Sequence, residues 1–433
     1  MTVTTTPTDA HASASADASA AAGSPAPGSL TLPAPYGSCP YDPPPGYTQA
    51  AAEAPVSRAE LPDGTPCWLV TGHQEVRAVL SDARFSADAR TPGFPFLSPG
   101  QRQLATAQPS FIRMDDPEHS RLRRMVAKDF LTRRIQELRP AIADVVEAAA
   151  RAMTADGRRT ADLVADFALP VPSLVICLML GVPYEDHALF QSLSRTLLDN
   201  TTDPGRAAEA HRELMGYLAG LAEHKRRDPG DDILSRLAVR PDLSARETAS
   251  LGFMLLITGH ESTTNMAALS VLALLRRPEQ AARLRAEPAL IPGAVEELLR
   301  YLTIIHLGLG RAATEDVTVG GAAIRAGDGV ICMLSTANRQ PKLFGAPQAG
   351  DAPEGGASCP AELDVTRDAR RHVAFGHGPH QCLGHTLARV ELQIMLETVL
   401  RELPGLRLAV PEEQLVFQRD TIVYGLRELP VAW

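Results

Sequence analysis

From Ser244 to Pro278 the sequence keeps helical periodicity with no proline inside it. Ser244 followed three residues later by Glu247 is a capping box, which fixes where the helix begins. At 1.5 Å per residue, a helix of roughly 30 residues runs about 45 Å, the full width of a domain. A chain with such a rod must wrap its other elements around it. Halfway along, "LLITGHESTTN" (255–265) sets a glycine, a carboxylate and several hydroxyls into an otherwise apolar run. Backbone-bonded Ser and Thr would explain the hydroxyls, but not an acid at Glu261.

The chain has 433 residues, 45% of them hydrophobic, enough for a large core. A net charge of -9 argues against nucleic acid as the main partner. The six cysteines, at 39, 67, 177, 332, 359 and 382, form no Cys-x-x-Cys pair, which fits reduced thiols better than a disulfide scaffold. No stretch reaches the roughly 18 apolar residues of a membrane span. No Lys or Arg precedes Arg58 and no apolar run follows the start, unlike a secretory signal. The expectation is a cytoplasmic protein with no membrane or nucleic-acid partner. Residues 1–30, rich in Ala, Ser, Thr and Pro, are expected to be a disordered tail, with one large domain over 31–433.

"CWLVTG" (67–72) reads as a strand and "HQEVRAVLSD" as a short helix. Residues 85–110 read as a long irregular loop. Asp116 and Pro117 read as the cap and first position of a further helix. Helical periodicity continues over 135–155, 158–180 and 205–226, and "VEELLRYL" is another helix. "DVTVGGAAIRAGDGVICMLSTANR" and "LVFQRDTIVYGLRELPVAW" alternate and turn on glycines, as small antiparallel sheets do. The class is mainly α with minor β.

"FGHGPHQCLGHTLAR" (375–389) places Cys382 among glycines 376, 378 and 384, with a helix beginning just beyond it. Exposed amides and a helix N-terminus favour thiolate over thiol. A packing cysteine needs no such backbone. A nucleophile would use His380 or His385 as base. Zinc would recruit His377, His380 or His385, on a spacing foreign to zinc sites. The third role for the sulfur is axial ligand to haem iron.

Phe375-Gly-His-Gly-Pro-His-Gln-Cys-Leu-Gly384 resembles the haem-binding signature of the cytochrome P450 superfamily at every fixed position, and "CPYDPPPGY", "FIRMDDPEHSRLRRMV" and "ANRQP" resemble its soluble actinobacterial members. The similarity runs from about Cys39 to Trp433. It implies a triangular-prism-like domain with the long helix crossing haem b. Cys382 would then be the proximal thiolate, with Phe375 beside the sulfur and Gly384 in its loop. His119, Arg123, Arg311 and His380 would hold the propionates. Gly259 would leave room for the flat cofactor against the helix. Glu297, Arg300 and Arg367 would form an ion network holding the cysteine loop. Glu261 with Ser262 or Thr263 would be the acid–alcohol pair that delivers protons. Thr258 stands where the family usually has Ala or Gly.

The resemblance further implies a monomeric monooxygenase that inserts one oxygen atom of O2 into a hydrophobic small molecule, often a secondary metabolite. Electrons would come from a ferredoxin and its reductase, docking near Arg121, Arg124 and Lys128. Substrate contacts are expected from 85–110, 190–204, Leu255, Thr258, Ile304, Leu307, Thr421 and Ile422. A nitric oxide reductase-like or peroxide-driven relative, a non-catalytic haem or ligand carrier, and a zinc hydrolase are the alternatives. Residues 348–362 read as an exposed insertion on the cysteine side.

Overall fold

The computed structural model describes residues 1, 30–107, 110–198, 202–345, 361–419, 421 and 423–433. The tail expected over 1–30 lies outside the described residues except at its ends, the 348–362 insertion except at 361–362, and Ile422 entirely.

The long helix spans Ala245–Leu275. Its N-cap is the reciprocal box read from sequence: Glu247 N–H donates to Ser244 Oγ at 3.1 Å, and Ser244 N–H to Glu247 Oε2 at 2.9 Å. Residues 263–274 are buried on every side, as in a helix run through a core rather than laid on it. Helices Pro170–Leu180, Pro204–Arg227, Ile291–Leu302 and His385–Glu402 pack around this central helix.

A six-stranded sheet forms the second body, in the order Leu30–Thr31, Val56–Glu60, Pro66–Val70, Gly329–Cys332, Leu309–Ala313, Phe85–Ser86. Along Pro66–Val70 the period of two sends Trp68 and Val70 toward helix His73–Ser81, and Cys67 and Leu69 toward helix Pro45–Glu53. Both faces are therefore buried. Antiparallel pairing of Arg311 with Val330 carries that arginine into the protein interior.

Three local readings are corrected. Residues 85–110 are not one irregular loop: they begin as an edge strand and contain helix Pro99–Ala107, whose start is signalled by Ser98 Oγ accepting from Gln101 N at 3.1 Å. The 158–180 helix is broken, because Thr160–Asp162 pairs with the C-terminal strand Pro430–Ala432 and the regular helix starts only at Pro170. The helix expected to begin at Pro117 spans Glu118–Ala127, with Pro117 rather than Asp116 at the cap position; Asp116, one residue earlier, accepts from Ser120 N at 3.0 Å.

Candidate active site

The cysteine loop runs between Val373 and Gly384. Gly376 and Gly378 have φ of 71° and 73°, the left-handed region. At Gly378 a Cβ would come 2.4 Å from the Leu80 carbonyl oxygen, so only glycine lets the loop close against helix 73–81. Cys382 N–H donates to Phe375 O at 2.8 Å. The Gly384 amide donates to the sulfur, and the charges of Arg123 and Arg389 also favour thiolate; the protein packed around the loop pushes the Cys382 thiol up, although the residue itself is exposed. The amide and the two arginines pull toward thiolate, as the sequence reading expects, and a bound cation would complete the ionisation, since coordination removes the thiol proton.

Glu297 and Arg300 are fully buried and doubly joined, Arg300 Nε to Oε2 at 2.6 Å and Nη2 to Oε1 at 2.7 Å. Arg367 Nε reaches the same carboxylate at 3.2 Å, so the three sequence candidates meet. Asn338, which the sequence reading missed, passes this support to the loop. Its carbonyl oxygen accepts from Arg300 Nη1 at 2.9 Å, its Oδ1 accepts from Val373 N at 2.8 Å, and its amide donates to Thr303 Oγ1 at 2.9 Å. Its position beside Arg339 in "ANRQP" was the available signal.

His119, Arg123, Arg311 and His380 also converge. The rings of His119 and His380 stack at 4.0 Å. Arg123 Nη2 donates to Gln381 O at 2.6 Å, and Arg311 Nη1 to Gly310 O at 2.8 Å. Arg113, absent from the sequence candidates, joins them: burial and then the charge of Arg311 lower its pKa. Burial likewise lowers Arg123 and Arg311, and burial with the neighbouring cations takes His380 down to about 3. Among the described residues none of these three arginines has an ion pair with a carboxylate, and buried His119 Nε2 has no hydrogen-bond partner. Desolvated guanidiniums cost several kcal/mol each without a counter-ion. A group bringing two carboxylates to this cluster, with a metal over Cys382, fits these residues, and haem is such a group.

On the central helix, Leu255, Thr258 and Ser262 share a face by their spacing. Thr258 is exposed and Ser262 half-buried, although the helix crosses the core. Thr258 Oγ1 donates to Met254 O at 2.7 Å and Ser262 Oγ to Thr258 O at 3.1 Å. Glu261 is raised to about 7 by burial. Thr263 is turned inward toward Glu391 of the helix after the cysteine. Glu391 was also missed. It is 1% exposed, neither oxygen is within hydrogen-bonding geometry of a partner, and burial raises it to about 8, with the Thr263 hydroxyl near enough only to lower that shift.

Gly259 does not serve as expected. A Cβ there would lie 2.9 Å from Ile176, so the missing side chain lets the central helix press against helix 170–180 rather than admitting a flat ligand. Of the substrate candidates, Ile304, Leu307 and Thr421 are half-buried, and Tyr424 N–H donates to Ile304 O at 2.8 Å. Leu255 is 4% exposed and packs in the main core.

The family description "Cytochrome P450" matches residues 61–414. The chain belongs to the cytochrome P450 family. It is 56% identical over 406 residues to cytochrome P450-SU2 of Streptomyces griseolus, covering 94% of this chain and 97% of that one. It is 46% identical over 402 residues to pentalenic acid synthase of Streptomyces avermitilis, covering 92% and 96%. The crystal structure of GfsF, a cytochrome P450 known from Streptomyces halstedii, superposes with a TM-score of 0.86 at 45% identity, covering 94% of this chain and all of that one. This P450 is a haem b monooxygenase with the mainly helical fold of its family. Among the described residues no helix is long and apolar enough to cross a membrane.

Proposed function

We propose that Cys382 is the axial thiolate of the haem and that this P450 oxidises a hydrophobic secondary metabolite in the cytoplasm with electrons from a ferredoxin. The observation that carries this reading is the pairing of a glycine-caged sulfur with a cluster of desolvated cations lacking carboxylate partners. Haem held by a thiolate supplies activation of O2 and insertion of one oxygen atom into substrate.

The residues of the chain do the rest. His119, Arg113, Arg123, Arg311 and His380 would hold the propionates, and the favourable charge pairing would offset their burial. Glu297, Arg300, Arg367 and Asn338 keep the loop in register under the sulfur. Glu261, raised to about 7, holds a proton at its carboxyl near neutral pH and gives it up readily. Ser262 lies one residue on, on the accessible face, where its hydroxyl, now donating to Thr258 O at 3.1 Å, would turn to relay that proton. Thr258 fastens its own hydroxyl to Met254 O, so its methyl remains to shape the pocket.

Of the three basic residues named for ferredoxin docking, Arg121 is paired with Glu118 at 2.7 Å and Glu247 at 2.6 Å. Arg124 and Lys128 make no ion pair among the described residues and are the better docking candidates.

Purified enzyme, a ferredoxin, its reductase and labelled O2 test the function, with macrolide and terpenoid substrates as a panel. One labelled oxygen atom in product, dependent on the reductase, is expected. Turnover that needs peroxide and ignores the reductase would overturn the ferredoxin reading.

A further inference from the structure

Glu296 and Glu297 are adjacent on helix 291–302 but serve different networks. Glu297 supports the loop through Arg300 and Arg367. Glu296 is bound to the cysteine helix itself: Arg389 Nε donates to Oε1 at 2.6 Å, Arg389 Nη2 to Oε2 at 2.9 Å, and His372 Nε2 to Oε2 at 3.1 Å. Burial alone would raise this carboxyl, but the bonds from His372 and Arg389 hold it at about 2.

The tautomers follow from the donors. His372 Nδ1 accepts from Ala374 N at 3.1 Å, so its proton sits on Nε2 and points at Glu296. His385 Nδ1 accepts from Arg389 Nη1 at 2.9 Å, and burial with the nearby arginine holds its pKa below the ordinary imidazole value. The Arg389 guanidinium then lies 4.6 Å from the centre of the Phe375 ring. Phe375 is the residue whose carbonyl receives the Cys382 amide. His372 and His385 stand at 5.9 Å and 6.1 Å from the same ring.

Two guanidiniums therefore act on the sulfur, those of Arg123 and Arg389. Arg123 has no carboxylate partner among the described residues. Arg389 is compensated by Glu296, whose side chain is 12% exposed. In so poorly solvated a place, charges act on one another with little screening.

We propose that Glu296, Arg389 and His372 form a second support under the cysteine loop, in which Glu296 offsets the charge of Arg389 behind Phe375 and thereby sets the reduction potential of the haem. This rests on Cys382 being the axial ligand. None of the three residues is a ligand; they are positioning residues that act through Phe375 and the field at the sulfur. Loss of the Glu296 charge leaves Arg389 uncompensated, which favours the extra electron of the reduced haem. Loss of the Arg389 charge leaves Glu296 uncompensated and disfavours it.

The experiment is a potentiometric titration of substrate-free holoenzyme in mildly alkaline buffer, for wild type, Glu296→Gln, Arg389→Gln, the double variant and Arg389→Lys. The potential is expected to rise in Glu296→Gln, fall in Arg389→Gln and return toward wild type in the double variant. Arg389→Lys, which keeps the charge, is expected to stay near wild type. Shifts of the same sign in both single variants, or none in either, would overturn the proposal. Where a glutamine variant does not take up haem, Arg389→Lys decides: a potential as far displaced as in the remaining charge-removing variant would mean that packing, not charge, is at work. The CO-bound spectrum of reduced wild type separates the two levels, since lack of a thiolate-type band there would refute the axial ligand itself.

Discussion

Ser262 and Thr263 are consecutive on the central helix, yet their hydroxyls leave it about 100° apart. Ser262 returns to the Thr258 carbonyl at 3.1 Å on the accessible side, whereas Thr263 is 4% exposed and turned toward Glu391. Two alcohols that sequence could not separate therefore occupy different environments. Ser262→Ala is expected to lower the fraction of electrons recovered in product on the order of 10-fold, with substrate affinity unchanged. Thr263→Ala is expected to lower it far less. Product formed per reductant consumed decides between them; the reverse order would assign the relay to Thr263.

Glu261 supplies a pH signature. Its pKa of about 7 means that the protonated carboxyl is present below neutrality and depleted as pH rises through that value. The rate of the coupled reaction is expected to fall along a limb near pH 7. Glu261→Gln should lose that limb and run on the order of 10²-fold slower. A variant that keeps the wild-type profile would exclude this carboxyl as donor.

Glu391 supplies a stability signature. Its folded pKa of about 8 lies above the ordinary carboxylate value, so the folded state keeps a proton that the unfolded chain has released. The resulting stability is complete below the unfolded value and lost as pH rises toward about 8. The contribution is on the order of 1.4 kcal/mol per pH unit. Denaturant titrations of holoenzyme are expected to show this slope between mildly acidic pH and pH near 8, and to show it flattened in Glu391→Gln. Equal slopes in both would mean that the carboxyl is not neutral in the fold.

Much of this was legible before any coordinates. The central helix starts where Ser244 and Glu247 say it must, because a capping box acts locally. The cysteine loop was readable because its motif is short and contiguous, and the Glu297–Arg300 pair only through the family resemblance, since an i,i+3 pair alone is a weak signal. Features made by long-range approach were not. Gly259 looked like a ligand cradle until Ile176 was seen against it. The 160–162 strand depends on a partner at the far end of the chain. Glu391 and Glu296 carry no signal in the sequence, since only tertiary packing leaves the oxygens of one without a hydrogen bond and joins the other to Arg389. Arg113 belongs to the cation cluster through its approach to Arg311, which no spacing announces.

The absorption spectrum of the reduced, CO-bound protein, compared between wild type and Cys382→Ser, tests the central claim most directly. Wild type is expected to show the strongly red-shifted band of haem with a thiolate ligand, and the serine variant to lose it while the other five cysteines remain. A variant that keeps that band, or wild-type protein that never shows it, would contradict the assignment of Cys382.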